Sequence, residues 1–324
     1  MYLLIYAFFI KYIHTYSNPN HFRFPIDKTT SNTFTINICF RNPKVCGEAS
    51  LSFIENGITL YKGFNYNKGD NVNEKEIIVK DSLVLDQGPR NGKVYLQELE
   101  FRVWSYNYKK NAVFGLGFLD ENVLLYRLTN DFSRKKIFYV DSVLNELVIG
   151  TYPDEMNVKT IKKCNIINKG NNGYQCNLDS VFYIGNDNQY KHIVIEKRVS
   201  FSPALNMIYV SSSLMDEIIS TYFNKDLIKR GICEIINEEH FNYIRCDKNY
   251  NIKSDKNIHD ITFIIEGISI KLTKDDLFYV LNKYNYFMIA FSDKTLMWSL
   301  GYPFINKYKI VIDLEMECIW FWPK

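Results

Sequence analysis

Several things are scarce in this chain, and each scarcity excludes a class of function. Histidine occurs five times, at positions 14, 21, 192, 240 and 259, and never at ligand spacing. With no Cys-x-x-Cys pair either, a zinc site is not expected. Glu238-Glu239-His240 lacks the second His of a zinc-protease helix. Gly115-Leu116-Gly117 lacks the third Gly of a dinucleotide loop, so no metal or cofactor is predicted. The net charge is only +3, and the Lys pairs 109–110, 135–136 and 162–163 stand apart. That argues for solvated faces and against a nucleic-acid stripe. Long apolar runs are also missing. Met1–Ile10 is apolar for ten residues and then meets Lys11, too short to span a bilayer. It has the length of a signal-peptide core without the basic flank, or it is a strand entering the first lobe. No stable transmembrane anchor is predicted.

What is present is a mostly-β globular chain. Its 324 residues are 47% hydrophobic and 16% aromatic, enough for two lobes with a sizeable core. Short runs rich in Val, Ile, Tyr, Phe and Thr recur between Gly, Asn and Asp. They cover residues 77–85, 94–104, 136–140, 146–149, 177–184, 192–196, 261–265 and 309–312. Two stretches read as helical. Residues 212–224 open on serine caps and continue with apolar residues at helical spacing, and a shorter helix is expected within 119–131. The halves meet near 150–160, giving expected lobes of 1–150 and 151–324.

Seven cysteines allow two or three disulfides with a thiol left over, which implies an oxidising compartment and a secretory or extracellular setting. Cys39 and Cys46 close one short loop, Cys233 and Cys246 another; Cys318 could meet either Cys164 or Cys176.

The C-terminal segment is the most specific. Trp298-Ser299-Leu300-Gly301 is followed by a short aromatic stretch, a strand, Asp313, a turn and a last strand. This resembles the closing segment of the pepsin-like aspartic proteases. Other landmarks follow in order. Ile26-Asp27-Lys28-Thr29-Thr30-Ser31-Asn32 resembles the first catalytic turn. Cys39…Cys46 is similar to the first small disulfide loop, and Ala49–Phe53 to the run after it. Tyr66, Lys68, Gly69 and Asp70 resemble the tip of the flap that closes over a bound peptide. Val113–Gly117 is similar to the first lobe's hydrophobic-hydrophobic-Gly step, and Tyr174 with Asn177–Val181 to the hairpin opening the second lobe.

The resemblance implies a bilobal β fold, a cleft between lobes, and a central sheet gathering strands from the start, middle and end of the chain. It also implies chemistry by two carboxylates sharing one proton, because like charges that close cannot both ionise. Aligned this way, Asp27 takes the first catalytic position, with Lys28 and Thr29 where the family has Thr and Gly. Ser202, followed by Pro203, takes the second. A serine stays neutral at pH 7 and cannot share a proton as a carboxyl does. The reading is therefore a catalytically degenerate homologue that binds a peptide or protein, as a monomer, since two lobes in one chain make dimerisation unnecessary. An active endopeptidase using Asp27 with another partner is the alternative. A structural subunit would be favoured by Phe201 and Pro203 packing inward. The first turn arriving by residue 27 leaves no room for a cleft-blocking prosegment.

Overall fold

In the computed structural model, residues 21–324 are described apart from 30–32, 42–43, 54–55, 65, 67–75, 88–91, 105–111, 118–123, 131–133, 155, 157–160, 168–172, 185–188, 194–196, 224, 239, 257 and 296. The apolar opening segment 1–13 lies outside them.

The alternating Val/Ile/Phe/Tyr runs form strands, as their composition dictates. Glu76–Asp86 pairs with Lys93–Trp104 as a long hairpin. Ile261–Ile265 and Glu146–Ile149 coincide with their predicted bounds. Helices are few and short. Met215–Tyr222 follows a single 3-10 turn, Ser212–Leu214, that Ser211 caps by accepting from the Ser213 N–H. Leu124–Asn130 is the second expected helix.

Among the described residues, the strands gather in two sheets. One, of eleven strands, draws only on residues between Gln175 and Leu300. The other has twelve. Six of these come from the first lobe and six form a platform. The platform runs in the order Lys162–Asn165, Cys318–Pro323, Tyr308–Asp313, Ile137–Asp141, Glu146–Ile149, Phe22–Lys28. It thus gathers beginning, middle and end of the chain, as the resemblance implied. The closing segment also behaves as read. Asp313 ends its strand and its Oδ1 accepts from the N–H groups of Glu315 and Met316, forming the turn into the last strand.

The platform is held by a buried ion pair. Lys309 Nζ donates to Asp141 Oδ2 at 2.9 Å, with both side chains 7% exposed. Desolvation alone would raise the Asp141 carboxyl. The Lys309 ammonium and the N–H groups of Leu144 and Val143 outweigh it and hold the carboxyl below its ordinary value.

Three disulfides form. Cys39–Cys46 and Cys233–Cys246 are cross-strand pairs within hairpins. Cys164–Cys176 ties the platform to the second-lobe sheet and leaves Cys318 as the free, buried thiol. Burial, with Asp313 nearby, pushes that thiol up to about 11, so it is inert at neutral pH. Among the described residues, no helix is long and apolar enough to cross a membrane, and no His/Cys/Asp/Glu cluster could hold a metal.

Candidate functional site

Each lobe contains the same three-stranded crossing, in which one strand is flanked by a parallel and an antiparallel neighbour. In the second lobe the middle strand is Trp298–Leu300. Arg198–Phe201 runs parallel to it, with Phe201 opposite Leu300, and Ile208–Ser211 runs antiparallel. In the first lobe the middle strand is Ala112–Leu116. Val45–Ser52 runs parallel, with Leu51 opposite Phe114, and Asn56–Leu60 runs antiparallel. The hydrophobic-hydrophobic-Gly steps, Val113-Phe114-Gly115 and Ser299-Leu300-Gly301, fix the correspondence. Leu51 matches Phe201, Ser52 matches Ser202, and Phe53 matches Pro203.

The internal counterpart of Ser202 is therefore Ser52, which revises the placement of Asp27. Asp27 lies in Phe22–Lys28, paired with Thr35 of Phe34–Phe40, and that second strand in turn pairs with Val45–Ser52. It is two strands removed from the first-lobe crossing, and its side chain is exposed. The strands that flank the segment read as a catalytic turn, Phe22–Lys28 and Phe34–Phe40, pair antiparallel, and the Thr29 N–H donates to the Thr33 carbonyl. Lys28 reaches the second lobe, where its ammonium lies 4.3 Å from the Tyr302 ring centroid and donates to the Tyr302 hydroxyl. The string Asp27–Asn32 resembles a catalytic turn locally, but strand pairing assigns it another place. A sequence signal for Ser52 did exist. Ala49-Ser50-Leu51-Ser52-Phe53 and Val199-Ser200-Phe201-Ser202-Pro203 repeat one pattern.

Both serines are sealed in, Ser52 at 1% and Ser202 at 0% exposure. The Ser202 N–H donates to the Leu300 carbonyl at 3.0 Å, and its Oγ accepts from the Ala204 N–H at 3.3 Å. The loop that follows folds back over Gly301, whose successor Tyr302 donates its N–H to the Leu205 carbonyl at 2.8 Å. The residues that follow the two serines, Phe53 and Pro203, are both buried. Phe53 packs edge-on against Phe138 at 5.0 Å, and Phe138 lies 5.7 Å from Tyr174. Tyr174 of the second lobe donates its hydroxyl to the Leu116 carbonyl of the first, so a run of aromatics spans the lobe seam. Phe201 is buried against Phe304 at 5.3 Å. Phe201 and Pro203 are thus both buried.

Of the predicted flap residues, Lys68, Gly69 and Asp70 lie outside the described residues. Tyr66 packs between Phe40 and Phe101, with centroids at 5.1 and 5.2 Å. It donates its hydroxyl to Asp81 Oδ2 at 2.8 Å. Burial first, then the Asp81 carboxylate, push its phenol well above the ordinary value. Its ring and hydroxyl are thus engaged within the first lobe.

No known family profile matches the chain, and no curated protein matches it. Solved structures do. An aspartic proteinase from Irpex lacteus superposes with a TM-score of 0.67 at 11% identity, covering 94% of this chain and 97% of that one. Basic 7S globulin from soybean gives 0.66 at 11% identity, covering 93% and 96%. Conglutin gamma, a basic 7S globulin from lupine seeds, gives 0.69 at 10% identity, covering 94% and 95%.

The chain has the bilobal pepsin-like fold. At 10–11% identity the likeness establishes architecture alone. Within that pepsin-like frame the two paired crossings end in Ser52 and Ser202.

Proposed function

We propose that this is a pepsin-fold protein without peptidase activity, built from lobes of residues 1–150 and 151–324, that acts by binding a peptide or protein. One observation carries the reading. The two crossings related by the fold's internal repeat end in buried serines rather than carboxylates. Two hydroxyls both stay protonated and neutral at acidic pH, so neither supplies the ionised half of a shared-proton pair or activates water as a carboxylate base does. Phe53 and Pro203 supply neither the small residue nor the hydroxyl that ties such loops together. The fold does not itself imply hydrolysis, since it is shared by one protein named a proteinase and two named globulins. Three disulfides fit an oxidising, secretory setting.

The test is cleavage of a peptide library between pH 3 and 7 by protein shown to be folded by circular dichroism. Ser52→Ala/Ser202→Ala and Asp27→Ala serve as controls. No cleavage above the buffer blank is expected from any of them. Cleavage by the parent that either control abolishes would overturn the reading and show which residues carry it.

A further inference from the structure

A groove of about 880 Å³ opens on the first lobe, on the sheet face beside the Cys39–Cys46 disulfide. Strand register builds its floor. Cys46, Cys39, Val84 and Tyr95 stand opposite one another in a row across four strands. Cys46 is exposed, and Tyr95 leaves 54% of its surface in solvent, so the row is an apolar strip open to water. The strip offers an apolar floor on which a side chain could lie.

The rim is cationic. Arg41 lies two residues along the strand from Cys39, and Lys44 sits just before the partner strand. At the other end Lys93 lies two residues from Tyr95, opposite Asp86, the one carboxylate of the lining. All three cations are exposed, and none forms an ion pair among the described residues. Arg41 and Lys93 thus flank the apolar row at an offset of four residues along the strand direction, roughly 13 Å, and two strands apart, roughly 10 Å, so they are separated by roughly 16 Å. With the reach of their long side chains, that suits carboxylates at residues i and i+4 of an extended peptide laid obliquely across the row.

We infer that this groove binds an extended acidic segment of a partner protein, of the form acid-x-apolar-x-acid. The central apolar side chain would lie on the disulfide, Val84 and Tyr95. The flanking carboxylates would meet Arg41 with Lys44 at one end and Lys93 at the other. The volume lies within the range of built ligand sites, and the charge of the rim selects the sign of the ligand. The inference deepens the binding reading above by naming a surface for the partner, remote from Ser52 and Ser202.

The experiment is fluorescence anisotropy of the full chain at pH 7 with a labelled Glu-Ser-Phe-Ser-Glu peptide. Controls are Gln-Ser-Phe-Ser-Gln and Glu-Ser-Ser-Ser-Glu peptides and phosphatidylserine vesicles. The acidic peptide is expected to bind at least tenfold tighter than either control peptide, and to weaken as salt rises. Arg41→Glu/Lys44→Glu and Lys93→Glu should each weaken it tenfold or more with no change in the urea unfolding midpoint. Equal binding of all peptides, absence of binding, indifference to the substitutions, or vesicles bound in place of peptide would each overturn the inference. Library cleavage would instead sink the non-catalytic reading while leaving this surface measurable.

Discussion

The two lobes share one three-stranded crossing but close it by different means. In the second lobe, Gly301 is required for space. A Cβ there would lie 2.2 Å from the Met207 carbonyl oxygen and 2.5 Å from that of Leu205. In the first lobe two glycines stand abreast, Gly57 opposite Gly115. Gly57 has a φ of +62° with nothing near its missing Cβ, so it is required for conformation. Gly57 and Gly301 are not equivalent positions, since Gly301 corresponds to Gly115, so one topology needs glycine for space at one point and for conformation at another. The hydrogen bonds that hold Ser202 use its backbone N–H and a hydroxyl that only accepts.

The largest expected effect breaks this comparison at the glycines. Gly301→Ala drives a methyl into two backbone carbonyls that cannot retreat without unpairing strands. It should cost more than about 5 kcal/mol, or prevent folding outright. Gly57→Ala pays only for a left-handed backbone, about 1 kcal/mol. Urea unfolding midpoints check both. Equal costs would show that space at Gly301 constrains the fold no more than conformation does at Gly57.

Next in size is the seam between the lobes. Lys309→Met leaves Asp141 buried beside an apolar side chain and should cost about 3–5 kcal/mol. The pH dependence sharpens this. The Asp141 carboxyl is held below its unfolded value, so the pair's stabilisation is fully present above about pH 4 and is lost as pH falls through the folded value. Parent stability should therefore decline on acidification from pH 5 to 3, and that decline should be shallower in Lys309→Met. Parallel profiles would show that the pair does not govern acid stability.

Much of the platform was legible because its signals are local. Asp313 ends a β-branched run, and the two N–H groups that follow bond to its carboxylate. Trp298 heads its segment and is buried edge-on against Phe263 at 5.2 Å. Ser202 was read by counting back from the Ser212 turn, and it directly follows the Arg198–Phe201 strand of the second-lobe crossing. Asp27 was misplaced because an Asp-x-Thr-x-Ser-Asn string is equally at home in a hairpin loop. Only the pairing of Val45–Ser52 with a strand some sixty residues on distinguishes the two, and a one-dimensional match cannot see that register. The same error put the Cys39–Cys46 loop after the supposed catalytic turn, whereas it precedes Ser52 and staples the hairpin leading there. The five-residue repeat around Ser52 and Ser202 carries the correct pairing, but five residues gain weight only beside the hydrophobic-hydrophobic-Gly steps they pair with.

The smallest effect separates the hairpin disulfides. Each lobe has one, spanning 7 residues in Cys39–Cys46 and 13 in Cys233–Cys246. Loop-closure entropy alone predicts a similar contribution, about 2.5 and 3 kcal/mol, so removing either pair by Cys→Ser should lower stability by comparable amounts. Their surroundings differ. Cys233 and Cys246 are 1% exposed, whereas Cys46 faces the groove and Cys39 is half-buried. Thiol exchange needs an attacking thiolate to reach a sulfur. Native protein in mild dithiothreitol should therefore open Cys39–Cys46 first, with Cys233–Cys246 reacting only after unfolding. Alkylation and peptide mass mapping over time would show the order. Simultaneous loss of both bonds would mean that the second lobe opens as readily as the first, and that its buried hairpin confers no kinetic protection.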